Sequence, residues 1–101
     1  MTHETVRVNA ALVDLIPLFM TKRQDDAEAW ADALARGDAP ALGAVGHRLK
    51  GTCASFGFPA LTEMGRELEA LAAAGALEPA AALLDEFRAY LASVRIVVDP
   101  D

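Results

Sequence analysis

The amino-acid sequence predicts an all-α fold, an antiparallel up-down-up-down four-helix bundle. Apolar residues recur at helical spacing in four segments. Glycine and proline separate these segments, and the connections between them are short. The helices are expected at roughly residues 15–36, 39–56, 59–74 and 79–96. Because short connections make sequential helices antiparallel neighbours, the four apolar stripes would share one core within residues 12–98.

The first two helices take their boundaries from proline, glycine and aspartate. Pro17 lies in the first turn of the first helix and Gly37 follows its end, which are favoured positions for these residues. Asp14 and Asp38 are the predicted N-caps, since a side-chain oxygen can accept hydrogen bonds from a first turn. The apolar stripe of the first helix consists of Ile16, Phe19, Met20, Ala27, Trp30 and Leu34. Its charged residues are assigned to a solvated face: Lys22, Arg23, Asp25 and Asp26.

The other three helices each carry one apolar stripe as well. The stripe of the second helix consists of Leu42, Val45, Leu49, Cys53 and Phe56. The stripes of the third and fourth consist of Leu61, Met64, Leu68 and Leu71, and of Leu84, Phe87, Leu91 and Val94. Residues 1–11 are predicted to be an N-terminal extension or a short cap over one end of the bundle. Val6 and Val8 are the only apolar contacts that this segment offers.

Composition limits the class of function. A net charge of −6 argues against general binding to nucleic acid or to an anionic membrane, which requires a basic patch. No apolar run is long enough to span a bilayer, and the N-terminus has no secretion signal, so a cytoplasmic protein is expected. The single cysteine, Cys53, leaves no internal disulfide or zinc-ligand cluster and is expected to be a buried, inert thiol.

His47 is the candidate functional residue. At about 100° of rotation per residue, it points away from the apolar stripe of the second helix. Apart from Lys50, its neighbours within two turns on this face are among the smallest side chains available: Gly43, Ala44, Gly51 and Ala54. Since a glycine inside a helix costs about 1 kcal/mol relative to alanine, this small-residue surface predicts that another molecule docks closely against the imidazole.

The charges near His47 are suited to an incoming anion. No aspartate or glutamate occurs in residues 39–62, whereas Arg48 and Lys50 lie beside the histidine. Equal distances from the turn near Gly57 place His47 level with Leu68, whose neighbour Glu69 can lie beside the histidine. There Glu69 would hold one ring nitrogen and leave the other free as a nucleophile, although the alternative of a simple surface carboxylate stays open. The sequence contains no second acid–base pair, phosphate loop or metal set, which favours a residue that receives a group from another protein's active site.

The segment His47-Arg48-Leu49-Lys50-Gly51 resembles the H-x-L-K-G motif of the histidine-containing phosphotransfer (HPt) domains of bacterial phosphorelays. Phe56-Gly57, Leu61 and the pair Leu68-Glu69 follow in the order typical of that family. The resemblance extends more loosely from Leu15 to Val94 and includes the stretch that starts the first long helix.

The resemblance implies that His47 accepts a phosphoryl group from the phospho-aspartate of a receiver domain and passes it to another receiver. In this interpretation Lys50 stabilises the phosphate, Gly51 stays small so that the receiver can approach, and Glu69 orients the imidazole. The docking surface would consist of Gly43, Ala44, Arg48 and Ala54. The protein would be a phosphocarrier rather than an enzyme, with no cofactor of its own, because magnesium belongs to the receiver. Its partners would be response-regulator receivers, a hybrid histidine kinase, or both.

Two other functions are compatible with parts of the pattern. A docking module that binds a receiver or a kinase without carrying phosphate would keep the surface, but it would not need both His47 and Lys50. The phosphoacceptor hairpin of a histidine kinase usually has an acidic residue directly after the histidine, where this chain has Arg48. Such hairpins also need a partner chain to complete four helices, whereas this chain has four of its own, so a monomer is expected.

Overall fold

The computed structural model describes residues 5–99. Within them, strand β1 (Thr5–Asn9) and a 3₁₀ segment (Ala10–Leu15) precede four helices, and strand β2 follows the last helix. The helices are α1 (Ile16–Arg36), α2 (Ala39–Phe56), α3 (Pro59–Ala73) and α4 (Leu77–Ser93), and β2 spans Arg95–Asp99. The prediction of four helices in these segments is therefore confirmed. None of these helices is long and apolar enough to cross a membrane.

Glycines and a side-chain cap set the ends of α1 and α2 as predicted, with one exception. Gly37 and Gly57 end α1 and α2 in the left-handed conformation, at φ of 63° and 78°. Asp38 caps α2 as predicted, since its Oδ1 accepts a hydrogen bond from the Ala41 amide at 3.1 Å. The predicted cap at Asp14 is wrong because Asp14 lies inside the 3₁₀ segment, which runs directly into α1. The N-cap lies instead at the start of the 3₁₀ segment, where Asn9 Oδ1 accepts a hydrogen bond from the Ala11 amide at 2.8 Å.

Within the N-terminal segment, residues 5–9 form strand β1 and residues 10–11 begin the 3₁₀ segment. β1 pairs in parallel with β2, with Val6 opposite Ile96 and Val8 opposite Val98. Val6 and Val8 are both buried, which agrees with the prediction that these two residues provide the apolar contacts of this segment. The prediction of an all-α fold is therefore corrected, because the structure also contains this two-stranded sheet. Helix α4 ends at Ser93 because β2 begins soon after it. Residues 1–4 of the predicted segment lie outside the described residues.

The core lies between the helices and is built around large side chains. The largest fully buried ones are Trp30, Phe58 and Phe87. The Trp30 indole packs against Phe87 and donates a hydrogen bond from Nε1 to the Ala80 carbonyl at 3.0 Å. Cys53 is also fully buried, and this burial raises the pKa of its thiol to about 11. The prediction of a buried thiol is confirmed, and it is protonated at neutral pH.

Candidate functional site

The site is built where α2 and α3 touch through their backbones. A Cβ atom placed on Gly46 would lie 2.7 Å from the Gly65 carbonyl oxygen and 2.8 Å from the Glu69 amide nitrogen. A Cβ atom on Gly65 would lie 2.7 Å from the amide nitrogen of Lys50. No side chain fits between the helices here. This contact brings Glu69 of α3 within reach of side chains on α2.

His47 lies on the exposed side of this helix pair. Its side chain is 76% exposed. The helical face opposite to it is buried, including Leu42, Val45, Leu49 and Cys53. The predicted outward direction of His47 is therefore confirmed, and the buried face fixes the height of the imidazole above the core.

Glu69 joins the imidazole to the ammonium group of Lys50. Its Oε2 lies 3.1 Å from His47 Nδ1, and its Oε1 accepts a hydrogen bond from Lys50 Nζ at 2.7 Å. The hydrogen bond from Lys50, with a smaller contribution from His47, holds the pKa of the Glu69 carboxyl below its usual range against the opposing effect of burial. Glu69 is therefore ionised at neutral pH, and the predicted proximity of its carboxylate to His47 is confirmed.

The ionised carboxylate determines which ring nitrogen of His47 carries a proton. A carboxylate only accepts hydrogen bonds, so a bond between Glu69 and Nδ1 requires the proton on Nδ1. Nε2 then holds the free lone pair on an imidazole that is largely open to solvent. This geometry provides an oriented nucleophile with a cation one helical turn away.

The small residues around His47 divide into two groups. Ala44, Gly51 and Ala54 are exposed, and a Cβ atom on Gly51 would meet nothing within 4 Å. Gly43 is half-buried instead, and a Cβ atom there would contact the Ala72 side chain at 3.7 Å. The open surface therefore follows Ala44, Gly51 and Ala54, whereas Gly43 lies at the junction with α3.

On the side towards α1, the structure corrects one assignment. Arg23 and Asp26 are buried rather than part of a solvated face. Asp26 Oδ2 accepts from Arg23 Nε at 2.9 Å, and Asp26 Oδ1 accepts from Arg48 Nε at 2.9 Å and Nη2 at 2.8 Å. The Arg23 guanidinium also lies over the Phe19 ring, 4.6 Å from its centroid. Arg48, the residue after His47, is thus tied to α1.

Sequence reasoning missed Gly65 and the Arg23–Asp26 pair, although a signal for both was available. Gly65 follows Leu61 by four residues, on the apolar stripe of α3. Arg23 and Asp26 follow Phe19 by four and seven residues, on the stripe of α1. These stripe positions face the core, and Gly65, Arg23 and Asp26 are all buried there. The glycine therefore marks a close helix contact, and the charged pair requires internal partners.

Comparison with known proteins provides one match. The family model described as Hpt domain matches residues 14–96. No curated protein and no solved structure matches the chain at a significant level. Among residues 5–99, no group of three histidine, cysteine, aspartate or glutamate side chains is placed to hold a metal ion.

Proposed function

The chain belongs to the Hpt domain family, and from this we propose that it is a histidine phosphotransfer protein of a two-component phosphorelay. It accepts a phosphoryl group on His47 from the phospho-aspartate of a receiver domain and passes the group to an aspartate of another receiver. The observation that carries the proposal is the exposed imidazole whose Nδ1 lies 3.1 Å from an ionised Glu69.

The transfer requires no proton to leave the imidazole. Nε2 attacks the phosphorus atom and forms an N–P bond, while the bond between phosphorus and the aspartate oxygen breaks and its electron pair returns to the aspartate carboxylate. The ring gains positive charge and keeps its proton on Nδ1. The Glu69 carboxylate, already 3.1 Å from Nδ1, stabilises that charge as it develops.

Lys50 is suited to the phosphoryl oxygens. Its ammonium group has three N–H donors, of which one reaches Glu69 Oε1 at 2.7 Å. The others are available to a phosphoryl group on the neighbouring imidazole, one helical turn away. In the unphosphorylated protein one Glu69 carboxylate already binds both His47 and Lys50, so that little reorganisation is needed when the anion arrives.

The receiver supplies what this site lacks. In this proposal the metal that neutralises the phosphoryl group is magnesium in the receiver's active site, and this chain acts as a phosphocarrier rather than a catalyst. The chain acts in the cytoplasm as a monomer whose helices follow the up-down-up-down order. Its phosphoryl donors and acceptors are response-regulator receivers or a hybrid histidine kinase. A docking module that carries no phosphate is the alternative, but it gives no reason for the contacts that Glu69 makes with both His47 and Lys50.

A transfer assay tests the proposal directly. Purified receiver domains are labelled on their aspartate with acetyl phosphate and mixed with the chain. We expect label to move to the chain from at least one receiver and to be labile in acid and stable in base, as an N–P bond to histidine is. Binding to a receiver without any transfer of label would instead support the docking module.

Replacing Gly51 with glutamine is expected to slow transfer without harming the fold. A Cβ atom at Gly51 meets nothing within 4 Å, so the new side chain projects into the space that the receiver must enter. We expect the transfer rate to fall roughly 100-fold, because a displacement of about 1 Å between reacting groups costs that much. Thermal unfolding should show no loss of stability, since glutamine is a better helix former than glycine. Transfer at the wild-type rate would refute close docking over Gly51.

A further inference from the structure

Asp26 forms a buried bridge between two arginines. Its side chain is 5% exposed and that of Arg23 is 4% exposed, whereas the Arg48 side chain is 48% exposed. Each carboxylate oxygen serves a different arginine: Oδ2 accepts from Arg23, and Oδ1 accepts two N–H groups of Arg48. The Arg23 guanidinium thus lies in the interior, whereas the Arg48 guanidinium binds the same carboxylate from the surface beside His47.

This arrangement fixes Arg48 rather than leaving it free in solvent. An unpaired arginine on a helix surface samples many rotamers, and docking against it costs the entropy of ordering it. Here Nε and Nη2 are held at 2.9 Å and 2.8 Å by a carboxylate that cannot move without leaving Arg23 unpaired. Among the described residues, Nη1 of Arg48 has no hydrogen-bond partner in the structure. The guanidinium therefore presents pre-oriented N–H donors at the surface.

The surroundings of Arg48 fit an acidic group on a protein partner. The buried Asp26 pairs with both Arg23 and Arg48, so this cluster carries one positive charge in excess. Beside them lies an apolar groove of about 180 Å³ between α1 and α2. Leu15, Leu18, Phe19, Thr52 and Phe56 line the groove, together with Lys22 and Arg23. Leu18 is 58% exposed and Leu15 is 47% exposed, so the two leucines extend the apolar surface of the groove towards solvent.

We propose that Asp26 is a positioning residue that fixes Arg48 as a docking contact for a carboxylate on the receiver domain. The inference rests on the proposed function, because it concerns how a receiver is bound and selected for transfer to His47. A planar guanidinium with two N–H groups held by Asp26 still offers donors that match the oxygens of an aspartate or glutamate. Arg48 projects from α2 towards α1 and Lys50 approaches Glu69 of α3, so Arg48 contacts the partner and Lys50 contacts the phosphoryl group.

The test compares Arg48→Gln with Arg88→Gln. Arg88 is exposed on α4, and its replacement changes the net charge equally without touching the face between α1 and α2. The probe is whichever receiver domain, phosphorylated with acetyl phosphate, transfers fastest to the wild-type chain. For Arg48→Gln we expect the KM for the phosphorylated receiver to rise about tenfold, as the loss of a charged hydrogen bond predicts. The maximal rate should stay unchanged because His47, Lys50 and Glu69 are intact.

Two further measurements separate a docking role of Arg48 from a merely structural one. They are the dependence of KM on salt and an NMR measurement on the free protein. The KM of the wild type should rise more steeply with salt than the KM of Arg48→Gln, because an ionic contact is screened. By NMR, the Nε–H of Arg48 should exchange slowly with solvent in the wild type. Asp26→Asn should speed this exchange and raise the KM. If Asp26→Asn does not fold, slow exchange in the wild type remains the measure of the fixed guanidinium.

The outcomes distinguish this inference from the proposed function. Transfer to the wild type with an unchanged KM in Arg48→Gln, or with the same rise in Arg88→Gln, would overturn the docking contact and leave phosphotransfer intact. Fast exchange of Arg48 Nε–H in the wild type would overturn the positioning role of Asp26. Failure of every receiver to label the wild type would overturn the proposed function and this inference together.

Discussion

Replacing His47 with glutamine is expected to abolish phosphoryl acceptance while leaving the fold intact. Glutamine has no nucleophilic nitrogen lone pair, so no N–P bond can form at this position. The side chain is 76% exposed, and Glu69 is its one polar partner within residues 5–99, so the change in stability should stay within about 0.5 kcal/mol. Label from a phosphorylated receiver measures the first effect, and thermal unfolding followed by circular dichroism measures the second.

His3→Gln is the matched control for this experiment. The chain has two histidines, so the control makes the same chemical change at the only other candidate for a phosphohistidine. We expect His3→Gln to accept label at the wild-type rate. Label retained on His47→Gln would place the phosphoryl group elsewhere. A large drop in its melting temperature would show that the imidazole contributes to the core.

Replacing Gly46 with leucine is expected to have the largest effect on stability. A Cβ atom there lies 2.7 Å from one backbone atom of α3 and 2.8 Å from another, so the two helices must separate before any side chain fits. Overpacking of this kind costs about 3 kcal/mol or more, well above the roughly 1 kcal/mol that leucine gains over glycine in helix propensity. In a domain of this size, the net loss of about 2 kcal/mol or more corresponds to a fall of at least roughly 8 °C in Tm.

Gly51→Leu makes the same substitution five residues further along the same helix. A Cβ atom on Gly51 meets no other atom within 4 Å, so only the gain in helix propensity remains. The two variants should therefore shift the melting temperature in opposite directions. A Gly46→Leu protein as stable as the wild type would mean that α2 and α3 are not in backbone contact, and the position of Glu69 beside His47 would lose its explanation.

The helices could be predicted from the sequence because their signals are local. Each apolar stripe and proline lies within the helix that it defines, Gly37 and Gly57 directly follow the helices that they end, and Asp38 caps α2 through an amide three residues away. The strands could not be predicted in this way. β1 and β2 are separated by nearly the whole chain, and neither segment forms a sheet without the other. The alternation of Val6 and Val8 with polar residues was the only local sign of β1.

The candidate site was predicted more fully on the α3 side than on the α1 side. Counting from the turn near Gly57 placed Glu69 beside His47 because a short connection ties two helices closely in register. The same count from Gly37 places Arg48 level with Asp26, eleven residues to either side, but Asp26 was assigned to a solvated face, so Arg48 was predicted to be on the surface without its partner. The division of Asp26 between two arginines also depends on the relative rotation of two helices, which one sequence does not specify.

The central claim is that His47 accepts the phosphoryl group on Nε2 while Glu69 holds Nδ1. The most direct test is heteronuclear NMR of the ¹⁵N-labelled chain after phosphorylation by a receiver, with detection of the coupling between phosphorus and a ring nitrogen. We predict a single phosphohistidine at residue 47 with the coupling to Nε2. Coupling to Nδ1, or phosphate on any other residue, would contradict the arrangement in which Glu69 leaves Nε2 as the nucleophile.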